Sequence, residues 1–171
     1  MRESGGRMAQ ASLTAHACVT VGIAAPVELV WGLMLDLDRY GDWNPFIYRV
    51  DRAAGLSGRP AQLGERFTLQ VRFGGGRAVA SRERVTAIEA PSEGGARLEY
   101  QFYGRLHLLG LVRGRRLQLL TPGPDGSTMY QTEETFHGPL RFLLPVRAVQ
   151  DGFRRHAAAL KREAEHLHAD R

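Results

Sequence analysis

Arg115, Glu134 and Tyr130 are the residues whose types and spacing could gather ionisable groups inside this chain. In the run TMYQTEETFH, Thr128 to His137, a strand with Phe136 facing a core sends Glu134, Thr132 and Tyr130 the same way, because side chains alternate with period two. On the preceding run, taking Leu117 and Leu119 as core residues carries Arg115 inward with them. The reading therefore predicts Arg115 and Glu134 facing each other across a hairpin. A guanidinium and a carboxylate in an apolar interior are costly unless both are satisfied, so such a pair either locks the sheet or orients a polar group of a ligand. With Tyr130 beside them, the same groups could serve as general acid, general base and positioning group.

Other chemistries lack their residues. There is no C-x-x-C and no H-x-x-x-H, and His156, His166 and His168 do not share a helix face, so no metal site is expected. G-x-S-x-G, a Walker loop and a strand-linked G-x-G-x-x-G are absent, and no cofactor is expected. Cys18, the single cysteine, excludes an internal disulfide and reads within HACVTV as a half-buried strand residue. His107 and His137 read as solvated or backbone-bonded. The net charge of +5 comes from arginines spread in ones and twos, densest at Arg113 to Arg116, without interleaved stacking aromatics. Nucleic-acid binding is not expected; weak attraction to anionic lipid is.

The elements that must position these groups are marked by changes of period. Residues 1–13 have none and are expected to form a flexible arm ahead of one domain, 14–168. Ala15 to Ile23 alternates as a strand, and Pro26 opens a helix carrying Val27, Val30, Trp31, Met34 and Leu37 at helical spacing. A short second helix over 38–43 stops at Asn44, because Pro45 pushes its predecessor out of the α region. Strands are expected at 47–53, 67–73, 78–88, 98–102, 112–120 and 128–137, the last two joined by the loop TPGPDGS. From Pro145 to His168, Val146, Val149, Phe153, Ala157, Leu160, Ala164 and Leu167 form one apolar stripe. No crossover helices occur, which excludes a doubly wound fold. The class is α+β, a curved six- or seven-stranded antiparallel sheet wrapped round a long C-terminal helix. No apolar run reaches the ~20 residues of a membrane span, and the N-terminus lacks a secretory core, so a soluble, cytoplasmic protein is expected.

Where facing side chains are short, near Ala157 and Ala164, room is left for a ligand. The expected cavity is lined by Phe46, Phe73, Tyr100, Tyr130, Phe136 and Phe153, with Trp43 either a core anchor or a stacking surface at its mouth. The segment Gly138 to Val149, with Leu140, Phe142 and Leu143, is expected at the entrance, either tucked against the sheet or acting as a gate that contacts anionic membranes.

Four stretches, VGIAAPVELVW, DRYGDWNPF, the E-x-F-x-G spacing of Glu134, Phe136 and Gly138, and AALKREAE, together resemble the START/Bet v 1-like superfamily, also labelled polyketide cyclase or lipid-transport domains. Among its members the chain is most similar to bacterial stand-alone domains of unassigned role. The resemblance implies a helix-grip fold and a cavity for a small hydrophobic molecule: lipid, isoprenoid or polyketide. It also implies an alternative, an aromatase/cyclase or dehydratase in the same cavity; a third reading, from the arginine-rich face, is a protein-interaction module with a filled core. It fixes no oligomeric state.

Overall fold

The structure, a computed structural model, describes residues 14–76 and 78–170; the expected arm at 1–13 lies outside them. Seven strands form one antiparallel sheet: β1 (Thr14–Ile23), β2 (Ile47–Arg52), β3 (Arg66–Arg72), β4 (Ala78–Ser92), β5 (Gly95–Phe102), β6 (Arg113–Pro122) and β7 (Thr128–His137). Their order is β1-β7-β6-β5-β4-β3-β2. Every neighbour except the β1/β7 pair follows in sequence, so short turns fix most of the register and only β1 must find a distant partner. The long β4 carries register shifts between Val85 and Ala87 and between Glu89 and Ser92. Such bulges bend a strand and increase its twist, which lets the sheet curl.

Helix α1 (Val27–Leu35) begins after Pro26 and buries Val30, Trp31 and Met34. The second helix expected over 38–43 is split into a 3-10 turn, Leu37–Arg39, and a single α turn, α2 (Tyr40–Trp43). A short helix, α3 (Arg105–Leu108), links β5 to β6 where the sequence suggested only an apolar run. The closing helix α4 (Val146–Ala169) buries Val149, Phe153, Ala157, Leu160 and Ala164, the expected stripe. It lies across the inner face of the sheet in a helix-grip arrangement.

Helix α4 also covers an exposed sheet edge. The Gln150 amide takes both backbone groups of Cys18, accepting from its N–H at 2.8 Å and donating to its carbonyl. Lys161 Nζ donates to the Gly22 carbonyl at 2.8 Å, and Glu165 accepts from the Ala24 N–H at 2.8 Å. Those groups on β1 and just beyond it are thereby closed to another chain, which removes part of the usual hazard of an edge strand.

Candidate functional site

A cavity of about 530 Å3 opens between the first turns of α4 and the β3, β4, β6 and β7 end of the sheet. Its wall is apolar: Phe46, Val71, Phe73, Phe136 and Phe153 line it, with Leu143, Leu144 and Pro145 closing one side. Gly152 allows this packing, since a Cβ there would fall 2.3 Å from the Phe46 ring. Its polar floor consists of Ser81, Glu83, Arg116 and Glu134.

Each polar group is placed by strand parity. On β4, Val79, Ser81, Glu83 and Val85 share the inner face; on β6, Gly114, Arg116, Gln118 and Leu120 do; on β7, Tyr130, Thr132, Glu134 and Phe136 do. Arg116 and Glu134 are direct register partners. The Arg116 guanidinium sits 4.4 Å from the Phe153 ring centroid, a cation–π contact, and its Nε donates to Thr132 Oγ1 at 3.1 Å. Its Nη2 is buried and has no hydrogen-bond partner. Ser81 Oγ donates to Glu83 Oε1 at 2.6 Å. Burial, reinforced by the charge of Glu134, pushes the Glu83 carboxyl up to about 8, and burial raises Glu134 to about 7 against the opposing pull of Arg116. Near neutrality the floor therefore holds a buried cation beside one protonated carboxyl and one that is partly ionised. Gly114 leaves room for the second: a Cβ there would lie 3.0 Å from Glu134 Oε1.

Behind the floor lies a buried polar cluster. Asn44 Oδ1 accepts from the N–H groups of Phe46 and Ile47 at 3.0 and 3.1 Å, which turns its amide nitrogen toward His156 Nδ1, 2.6 Å away. That geometry makes Nδ1 the acceptor and leaves the imidazole proton on Nε2. Burial, with Arg116 nearby, holds His156 well below its ordinary pKa and keeps it neutral. The rings of Tyr40, Trp43 and Tyr130 surround it at 5.5–6.0 Å. Tyr130 Oη donates to Gln118 Oε1 at 2.7 Å.

Several expected site residues are placed differently. Arg115 faces out, not in: it pairs with Glu99, which Arg97 also contacts, and those two hydrogen bonds hold the Glu99 carboxyl down at about 2. The residue that faces Glu134 is Arg116, so the β6 parity is shifted by one. Trp43 packs 5.1 Å from Tyr40 as a core anchor and does not line the cavity. Tyr100 and Tyr130 do point inward but are fully buried behind the floor. Leu143 borders the cavity, whereas Leu140 and Phe142 do not; Phe142 stands 72% exposed. Phe46, Phe73, Glu134, Phe136 and Phe153 are brought together on the cavity surface.

Sequence reasoning missed Glu83, Arg116, Ser81 and the Asn44–His156 pair. The alternation V-x-S-x-E-x-V from Val79 to Val85 carried the signal for Glu83 and Ser81. A further cluster crosses two strands on the outer face: His16, Cys18 and Glu133 bring one ligand atom each within 4.8 Å of one another. Imidazole, thiol and carboxylate at this separation could hold a divalent cation, an arrangement that a search for local spacing motifs does not detect.

Residues 14–165 match the family described as polyketide cyclase / dehydrase and lipid transport. No curated protein matches at the level of sequence. Among solved structures, the major latex-like protein 151 of Panax ginseng superposes with a TM-score of 0.70 at 10% identity, covering 89% of this chain and 98% of that one. A START superfamily protein from Mycobacterium smegmatis gives 0.61 at 21% identity, over 89% and 98%. The di-domain ARO/CYC BexL of the BE-7585A biosynthetic pathway gives 0.67 at 18%, covering 91% of this chain and 52% of BexL. At these identities the likenesses show the fold. With the family match spanning nearly every described residue, the chain belongs to the polyketide cyclase / dehydrase and lipid transport family.

Proposed function

We propose that this protein binds a small amphipathic molecule, with its apolar body against the phenylalanine wall and an oxygen acceptor on Arg116. The observation that carries the reading is Arg116, a buried guanidinium that lines an apolar-walled cavity and whose Nη2 has no hydrogen-bond partner. An unmatched buried donor on a charged group costs on the order of 1–3 kcal/mol, which a ligand carbonyl, carboxylate or phenolate recovers. The cavity's size lies within the few-hundred Å3 range of ligand sites. The family description, which includes lipid transport, supports the same reading. No helix among the described residues is long and apolar enough to cross a membrane; we assign the protein to the cytoplasm, meeting membranes only at their surface.

The test uses 1-anilinonaphthalene-8-sulfonate, an aromatic body with an anionic head. Its fluorescence should rise on binding, and Arg116→Gln should weaken binding by roughly tenfold or more, the loss of one charge-assisted hydrogen bond. Native mass spectrometry of protein purified without detergent should show a retained small molecule. Absence of both dye binding and a retained mass would remove the proposal.

A second reading is favoured by the two carboxyls. Glu83 as acid and Glu134 as base, beside a guanidinium that polarises a carbonyl, could dehydrate a β-hydroxy ketone. Glu134 would take the α-proton and Glu83 would protonate the departing hydroxyl, giving an enone and water. Conversion of such a ketone that disappears in Glu134→Gln, with dye binding retained, would establish this chemistry; no turnover at any pH would exclude it for that substrate.

A further inference from the structure

Two loops project large apolar side chains at the end of the molecule where the cavity opens. On and just after α3, Leu108 and Leu109 are 79% and 71% exposed; in the 3-10 turn Arg141–Leu143, Phe142 and Leu143 are 72% and 66% exposed. The two loops form one surface. The Leu140 N–H donates to the Leu111 carbonyl at 3.0 Å, and Gly138, with φ of 111°, brings its backbone so close to Leu111 that a Cβ would lie 2.5 Å from that carbonyl oxygen. Four exposed apolar side chains on two adjoining loops are more than solubility of a solvated tip requires.

Along the two chain segments that carry these loops, the charge has one sign. No aspartate or glutamate occurs between Tyr100 and Pro124 or between Thr135 and Gln150, while Arg105, Arg113 and Arg147 flank the apolar tips and are exposed. Cationic side chains ringing protruding leucine and phenylalanine match a negatively charged bilayer, whose headgroups meet the arginines as the apolar tips enter the acyl boundary.

We propose that α3 and the Arg141–Leu143 turn together form a docking surface for an anionic lipid bilayer. Leu143 belongs both to this surface and to the cavity wall, so docking places the cavity mouth against the membrane. Exchange of a ligand at that mouth rests on the binding function proposed above; the docking does not.

Flotation with vesicles tests it. Protein should float with phosphatidylcholine vesicles containing about a third phosphatidylglycerol, should stay behind with pure phosphatidylcholine, and should be released by roughly 0.5 M salt. The triple variant Leu108→Ser, Leu109→Ser, Phe142→Ser alters only tips that do not line the cavity. It should lose roughly tenfold or more of the vesicle-bound fraction while its melting temperature and dye binding stay as in the parent. A parent protein that does not float, or a triple variant that floats equally well, overturns the docking surface. So does a concentration-dependent dimer that the triple variant abolishes without change in flotation, since a second copy would then be what covers the tips. Flotation without any dye binding or retained small molecule would remove the ligand reading and leave the docking surface standing; dye binding without flotation would do the reverse.

Discussion

Burial raises the Glu83 and Glu134 carboxyls to about 8 and about 7, and this gives a signed prediction. A carboxyl raised in the folded state holds its proton to higher pH than in the unfolded chain, so folding is favoured below the unfolded pKa and that contribution is lost as pH rises through the folded one. For values of about 8 and 7 against 4.5, the loss runs from about pH 4.5 to 8. His156 works in the opposite sense below its unfolded value near 6.5: held neutral in the fold, it withdraws stability as pH falls further. The carboxyls are therefore unopposed between about pH 6.5 and 8, where melts should show stability falling by on the order of 2 kcal/mol. Glu83→Gln should flatten that window. A parent curve already flat there would mean that water or Arg116 neutralises both carboxyls. Arg116 also shows why the residue scale was only half legible. The inner face of β6 is Gly114, Arg116, Gln118 and Leu120, while Leu117 and Leu119 lie half-buried outside. When a cavity needs polar groups, the alternation that marks a core is inverted, and choosing the leucines selects the wrong parity. On β7, Tyr130 and Phe136 are inside and the same rule gives the right face.

At the scale of elements, Asn44 ties three of them together. Its carboxamide oxygen caps the turn from α2 into β2, and its nitrogen reaches His156 on α4 across 112 positions of sequence. Asn44→Ala leaves two buried N–H groups and one imidazole nitrogen without partners, and should destabilise by about 3 kcal/mol or more in a thermal or urea melt. Asn44→Asp should be milder at low pH than at neutral pH, because only the protonated acid can donate to His156. A loss below about 1 kcal/mol for Asn44→Ala would show that water replaces all three contacts. The W-N-P-F run was visible in sequence as a helix stop, since Pro45 dictates that locally. Its reach to α4 was not, because His156 sits among alanines on a helix whose period says only that it faces the sheet. Strands and helices were legible for the same local reason: alternation and the three-four stripe are set by backbone geometry. The α3 helix escaped because four residues carry no period.

The whole molecule is unevenly packed, and its motions should follow that. Toward its C-terminal half, α4 buries His156, Ala157, Leu160 and Ala164 against the sheet, and its side chains clamp β1 through Lys161 and Glu165. Its first turns instead border the cavity, with Val146 and Ala148 only half-buried and Arg147 exposed. The opposite lip is formed by Gly74, in the exposed glycine turn Gly74–Gly76, and by Val79, 36% exposed. Segments with few buried contacts open at lower free energy than the core, so hydrogen exchange should separate the two ends. Amides from Phe153 to Ala164 should exchange as slowly as those of β6 and β7, while those from Arg141 to Val149 and from Phe73 to Gly76 exchange faster by roughly a hundredfold or more. Adding 1-anilinonaphthalene-8-sulfonate should slow the two fast segments together, because both lips close on one occupant. Protection that appears instead along Glu28 to Asp36, where a shallow groove marks the outer side of α1, would place the occupied site there and take the cavity out of the functional argument.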